Sequence, residues 1–248
     1  MKLKTKIKIG ILILLFVIGG ISSSYYESKV TEVYLTGKVV AFDFEGGSLN
    51  TVSSGLVVNT SYQSIGTMTF IKQNGDFAAL GHPITENVDT VEGECYEIQI
   101  NGIQKSSENR IGQIIAEVDE DSEIGNVYKQ SNCGIFGTVY NISNNEYKKI
   151  QTENRYNVET GAAYILIDID GNGLQEYEVE ITEIDFFSYT KNLRISVTSQ
   201  ELIKKTGGIV QGMSGTPIVQ NGKLIGAINS VDISSPTKAY GIFIDKLL

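Results

Sequence analysis

Four Asn-Gly dipeptides constrain this chain most: Asn74-Gly75, Asn101-Gly102, Asn172-Gly173 and Asn221-Gly222. Each lies among short runs of β-branched, aromatic or alternating residues, at 67–71, 96–100, 164–167, 177–181, 217–220 and 223–228. Asn-Gly between two such runs favours a tight hairpin, because both central residues of a type I′ turn need φ > 0. Short strands with regularly placed turns indicate a sandwich or a barrel. Composition agrees: 26 glycines, 13 tyrosines and no tryptophan suit a β-rich, turn-rich protein. The all-β expectation leaves room for a short helix at residues 200–205 and a terminal turn at 245–248.

The first 24 residues read as a targeting segment. Lys2, Lys4, Lys6 and Lys8 precede an apolar run from Ile9 to Ile21, then three serines. That run has the length of a signal-peptide core and falls short of the ~20 residues of a spanning helix. Ser22 to Ser24 would suit cleavage, while Tyr25 and Tyr26 would suit interfacial anchors of an uncleaved signal anchor. In either case the remainder is exported. A formal net charge of −9 argues against nucleic acid as a partner, since phosphate recognition needs clustered cations. Cys95 and Cys133, the two cysteines, do not make a disulfide framework, and Cys133 beside Gly134 reads as a small core residue.

A candidate nucleophile stands in Gly207-Gly208-Ile209-Val210-Gln211-Gly212-Met213-Ser214-Gly215-Thr216-Pro217. Glycines around Ser214 permit a tight turn, and the N–H groups of Gly212 and Ser214 are spaced as an oxyanion pair would be. His82, the one histidine, is bracketed by Gly81 and Pro83 and is the only imidazole available to activate a serine. No histidine follows Ser214 and a hairpin comes next, which excludes the α/β-hydrolase elbow. The order His…Ser with Gly-x-Ser-Gly-x-Pro resembles chymotrypsin-like peptidases.

The resemblance extends further. Residues 77–84 (FAALGHPI), 134–137 (GIFG), 206–226 (TGGIVQGMSGTPIVQNGKLIG) and 240–244 (YGIFI) are similar to the stage IV sporulation protein B (SpoIVB-type) serine peptidases. The likeness covers roughly residues 62–248. It implies a trypsin-like double β-barrel behind a membrane-targeting segment, with His82 as base and Ser214 as nucleophile. The barrels are expected to divide near the polar stretch 141–154, placing His82 on the first and Ser214 on the second. The related peptidases carry a PDZ domain after the anchor. Residues 25–61 fall below the ~50 of a small domain, so a short extended linker with strands, at 30–35 and 38–44, is expected there instead.

The resemblance implies an exported, membrane-anchored endopeptidase that cleaves a membrane-associated regulator in sporulation signalling, with no cofactor and no metal. One member of the triad departs from the pattern. Ser199 stands where the family has its aspartate, so a catalytically impaired relative serving as a peptide-binding scaffold is the alternative. Asp89 and Asp232 are the other carboxylates that could orient His82. Met213 replaces the aspartate through which trypsin-like zymogens are activated. Three further features read as structural. Residues 168–173 copy the start of an EF-hand loop, but Val179 stands where a bidentate glutamate is needed. The acidic run 117–123 reads as a solvated loop. Lys204 and Lys205 read as exposed charges beside a turn rather than as a Ser–Lys base.

Overall fold

The computed structural model describes residues 30–44, 62–84, 91–142 and 147–248. The chain divides into a unit of Met1–Val30, of which Val30 alone is described, and a compact unit of Thr31–Leu248. The expected targeting segment and Asp89 lie outside the described residues. Among the described residues no helix is long and apolar enough to cross a membrane.

Two antiparallel barrels of six strands make up the compact unit. The first comprises β1 (Glu32–Phe44), β2 (Tyr62–Ile71), β3 (Asp76–Ala79), β4 (Gly93–Gln104), β5 (Gln113–Ser131) and β6 (Gly134–Val139). They neighbour one another in the order β2-β3-β6-β5-β4-β1, and pairing of β1 with β2 closes the ring. A further strand, β7 (Lys148–Gln151), adds to the start of β1. The second barrel is β10-β13-β12-β11-β8-β9. Its strands are β8 (Gly161–Ile167), β9 (Gln175–Ile184), β10 (Leu193–Val197), β11 (Pro217–Gln220), β12 (Lys223–Val231) and β13 (Lys238–Phe243). One short helix, α1 (Gln200–Thr206), and a 3₁₀ turn at Ile244–Lys246 match the two helical expectations.

The sequence pattern explains the strands. In β9, Tyr177, Val179 and Ile181 point inward while Glu176, Glu178 and Glu180 point to solvent, the period of two of a half-buried strand. β1 is buried along almost its whole length, because it serves two cores. Val40, Phe42 and Phe44 pack inside the first barrel with Met68, Phe77, Leu80 and Ile135. Val33 and Leu35 instead join Phe70, Ala78, Leu166, Val219, Leu224, Ala227 and Ile242 in an apolar layer shared by the two barrels.

The region expected as a linker therefore contains a barrel strand: β1 pairs with β2 and β4. Its two expected strands are one, with a bulge between Leu35 and Lys38. Gly37 makes the bend at φ 59°, and a Cβ there would lie 2.4 Å from the Leu166 carbonyl oxygen. Chain passage between the barrels follows β7, which still pairs with β1 of the first barrel. The Asn-Gly pairs divide by role. Asn74-Gly75 and Asn221-Gly222 join β2–β3 and β11–β12, the latter at φ 52° and 75° as a type I′ turn requires. Asn172-Gly173 lies in the wider β8–β9 loop. Asn101-Gly102 is not a turn but a bulge inside β4, since the register with β5 shifts between Ile100 and Gly102. The acidic residues 117–123 are likewise strand rather than loop, within β5.

Candidate active site

His82 follows β3 through an unusual bend. The Gly81 N–H donates to the Ala79 carbonyl at 2.9 Å, closing a three-residue turn with Leu80 at φ 68° in its centre. A buried leucine in that region is uncommon, and such strain, of order 1–3 kcal/mol, persists only where surroundings hold it. Here Leu80 fills the first barrel's core and its N–H donates to the Thr67 carbonyl at 3.2 Å. The bend turns the next residue, His82, out of the barrel and onto the wall of a cavity. Nδ1 of His82 lies 2.9 Å from the Pro83 carbonyl oxygen. A carbonyl can only accept, so this bond needs the proton on Nδ1 and leaves the Nε2 lone pair available.

Ser214 reaches the same cavity from the second barrel. It sits in the connection between α1 and β11, and its neighbour Gly215 has φ 92°. A Cβ at Gly215 would come within 2.0 Å of the Thr67 carbonyl oxygen, so only glycine allows this close approach to β2. Three hydrogen bonds from β2 tie the serine segment down. Thr67 N–H donates to the Ser214 carbonyl at 2.8 Å, Thr67 Oγ1 to the Gly212 carbonyl at 2.8 Å, and Thr69 Oγ1 to the Gly215 carbonyl at 2.7 Å. The Ser214 hydroxyl itself points to the Asn229 carbonyl at 3.5 Å, a long contact, and no hydrogen bond joins it to His82. Nucleophile–base contacts are often loose before substrate binds. Met213 N–H donates to the Val210 carbonyl and Gly215 N–H to the Ile228 carbonyl, while the N–H groups of Gly212 and Ser214 have no acceptor among the described residues.

The cavity has a volume of about 600 Å³, within the range of ligand-binding clefts. Besides His82, Gly212 and Ser214, its walls are Ser64, Ile65, Leu80, Gln113, Ile114, Ile115, Ala116 and Gln211, none of them charged. The β4–β5 hairpin forms one side by crossing to the second barrel. Ile114 N–H donates to the Gln211 carbonyl at 3.0 Å, and Gln211 N–H to the Gly112 carbonyl at 2.8 Å.

The structure thus brings His82, Ser214 and Gly212 to one cavity and does not bring Ser199 to it. Ser199 is the N-cap of α1, its side-chain oxygen accepting the Leu202 N–H at 3.3 Å. Asp232 accepts from the Ser234 N–H and hydroxyl in the β12–β13 turn, at 3.0 and 2.7 Å. No carboxylate among the described residues hydrogen-bonds His82. Three residues had no signal in the sequence: Thr67, Thr69 and Asn229. The threonines look like ordinary β-branched strand residues, and their partners lie 145 and 146 positions away.

The other candidates are structural. Among the described residues no group of three or more His, Cys, Asp or Glu is placed to hold a metal. In the EF-hand-like loop a lysine supplies the cation: Lys205 Nζ sits 3.3 Å from Asp170, 2.9 Å from Gln175 and 3.2 Å from the Tyr177 hydroxyl. Burial alone would lower its pKa, but the bonds to Glu201, Tyr177 and Asp170 hold it above the ordinary lysine value, the opposite of what a base requires. Met213 is fully buried in the second barrel. Both cysteines are buried free thiols, and desolvation pushes each pKa upward.

The family model described as SpoIVB peptidase S55 matches residues 50–248. No curated protein matches the chain at a significant level.

Proposed function

The chain belongs to the SpoIVB peptidase S55 family, serine peptidases of sporulation, and from that premise we propose an exported, membrane-tethered endopeptidase that cleaves a membrane-associated regulatory protein. The observation carrying the reading is the shared cavity. His82 from one barrel and Ser214 from the other face a space large enough for a peptide segment, where the N–H groups of Gly212 and Ser214 have no acceptor among the described residues.

The chemistry follows from those groups. A peptide carbonyl enters near Ser214, and Oγ attacks it while Nε2 of His82 takes the hydroxyl proton. The N–H groups of Gly212 and Ser214 donate to the developing oxyanion, a contribution of about 3–4 kcal/mol per donor in comparable sites. His82 returns the proton to the leaving amine, and water then hydrolyses the acyl-enzyme by the reverse route. Aliphatic walls at Ile65, Ile114 and Ile115 without a charged side chain favour uncharged residues around the scissile bond.

A second reading has its own support. Ser199 caps a helix, and no carboxylate among the described residues bonds His82, which favours an impaired relative that only binds a peptide strand. A fluorophosphonate probe separates the two, since only an activated serine attacks it at neutral pH. Labelling of Ser214 is expected, abolished in Ser214→Ala and slowed at least ~100-fold in His82→Ala. A folded protein that takes no label would leave the scaffold reading in place.

A further inference from the structure

A triad carboxylate normally holds its histidine in one tautomer, fixes the ring's direction and stabilises the imidazolium. We infer that in this chain the first two tasks fall to the main chain, with Asn229 as the positioning residue. The inference rests on the peptidase reading above. His82 Nδ1–H donates to the Pro83 carbonyl at 2.9 Å, which selects the tautomer with a free Nε2. That bond orients the ring only if the bend carrying residues 80–83 is itself fixed, and Asn229 fixes it.

Asn229 lies on β12 of the second barrel, 4% exposed. The β12–β13 register passes from Ile228↔Gly241 to Ser230↔Tyr240, leaving Asn229 as the extra residue of a bulge. Bulges re-aim side chains and gather next to active sites. This one sends the amide nitrogen of Asn229 across to the first barrel, where it donates to the carbonyl of Gly81, the residue before His82. The acceptor is a carbonyl, so the amide end facing it must be the nitrogen. The backbone carbonyl of the same Asn229 receives the Ser214 hydroxyl at 3.5 Å. A single residue therefore touches the histidine-bearing bend with its side chain and the serine with its main chain. It sets the spacing of base and nucleophile across the barrel junction. Leu80, a non-glycine residue at φ 68°, makes the bend one that relaxes if released.

The third task is only partly met, since a carbonyl carries a partial charge. The labelling rate should fall short of a full triad by less than the ~10⁴ lost when a triad aspartate becomes asparagine, because that change also selects the wrong tautomer.

His82 is the one histidine in 248 residues, so imidazole NMR of the full chain in detergent reads it alone. With the ring neutral, nitrogen correlations should place the proton on Nδ1 in the unmodified protein. Asn229→Leu, of similar size but without a donor, should erase that preference and slow labelling of Ser214 by ~10-fold or more. In a His82→Ala background the same substitution should change the residual labelling little, because its effect runs through the ring. Asn229→Ala, which also lacks the donor and adds no bulk, should behave like the leucine and serves if Asn229→Leu does not fold. Asp89→Asn should alter neither tautomer nor rate. A proton on Nε2, an equal loss from Asn229→Leu with and without His82, or a marked effect of Asp89→Asn would each overturn the inference. Absence of labelling in the unmodified protein, with the Nδ1 proton and its loss in Asn229→Leu both observed, would instead remove the peptidase reading and leave the orientation of His82 standing.

Discussion

At the residue scale, Ser199 shows how one position serves two patterns. Its oxygen accepts the Leu202 N–H and opens α1, which Gly207 closes at φ 76°. Aspartate caps a helix as well as serine does and also suits the positive end of the helix dipole. Ser199→Asp should therefore leave the fluorophosphonate labelling rate of Ser214 within a few-fold of its starting value. Ser199→Ala should destabilise by ~1 kcal/mol in denaturant unfolding. A large gain in rate from Ser199→Asp would show that the side chain leaves the cap and reaches His82. This is also where the site stops being legible in the sequence. His82 and Ser214 stand out because glycine and proline bracket them, and local punctuation survives in a linear reading. Asn229 does not, because its meaning comes from a bulge and from Gly81, a partner 148 positions away.

At the element scale, the strap between the barrels carries a testable ion pair. Glu153, just after β7, accepts from Lys223 Nζ at 2.6 Å at the start of β12, and its own N–H donates to the Leu224 carbonyl. The hydrogen bond from Lys223 leads the effects that hold the Glu153 carboxyl below its ordinary 4.5, with the Asn154 N–H and Asn157 amide assisting. A depressed carboxyl pKa contributes stability above the unfolded value and loses it as pH falls through the folded one. Lys223→Met should therefore lower the melting temperature at neutral pH, by an amount equivalent to about 1 kcal/mol or less. Melting curves recorded below pH ~4.5 should show that gap closing; a gap that persists into acid would assign the loss to packing. Strand existence was readable wherever one face meets water, as in β9 with its glutamates. The continuity of β1 and the strand through the acidic run of β5 were not readable, for different reasons. Both faces of the first half of β1 are buried, so no alternation separates strand from bulge. The acidic run of β5 projects where neither face is fully covered, and its charge looks like a loop.

At the scale of the whole molecule, the two barrels share an apolar layer built from both, including Phe70, Leu166 and Ile242. Walls contributed by the two barrels therefore do not slide freely against each other, which suits a site assembled from residues on both. The proposed tether makes its own prediction. In fractionated host cells the protein should sediment with membranes, and protease added outside should degrade the part beyond residue 31. Recovery in the cytosol with residues 1–24 intact would remove the export proposal.

The position of β1 has a mechanical consequence. The compact unit begins at Thr31, and its first strand is hydrogen-bonded to β2 along one edge and to β4 and β7 along the other. A pull arriving from the N-terminal side runs lengthwise down that strand. Pulled along its axis, the strand loads the bonds of two edges at once in shear, where an edge strand would load those of one edge alone. The first barrel should then yield as a unit or hold, and a tethered chain under tension would keep its cleft intact until the barrel itself gives way.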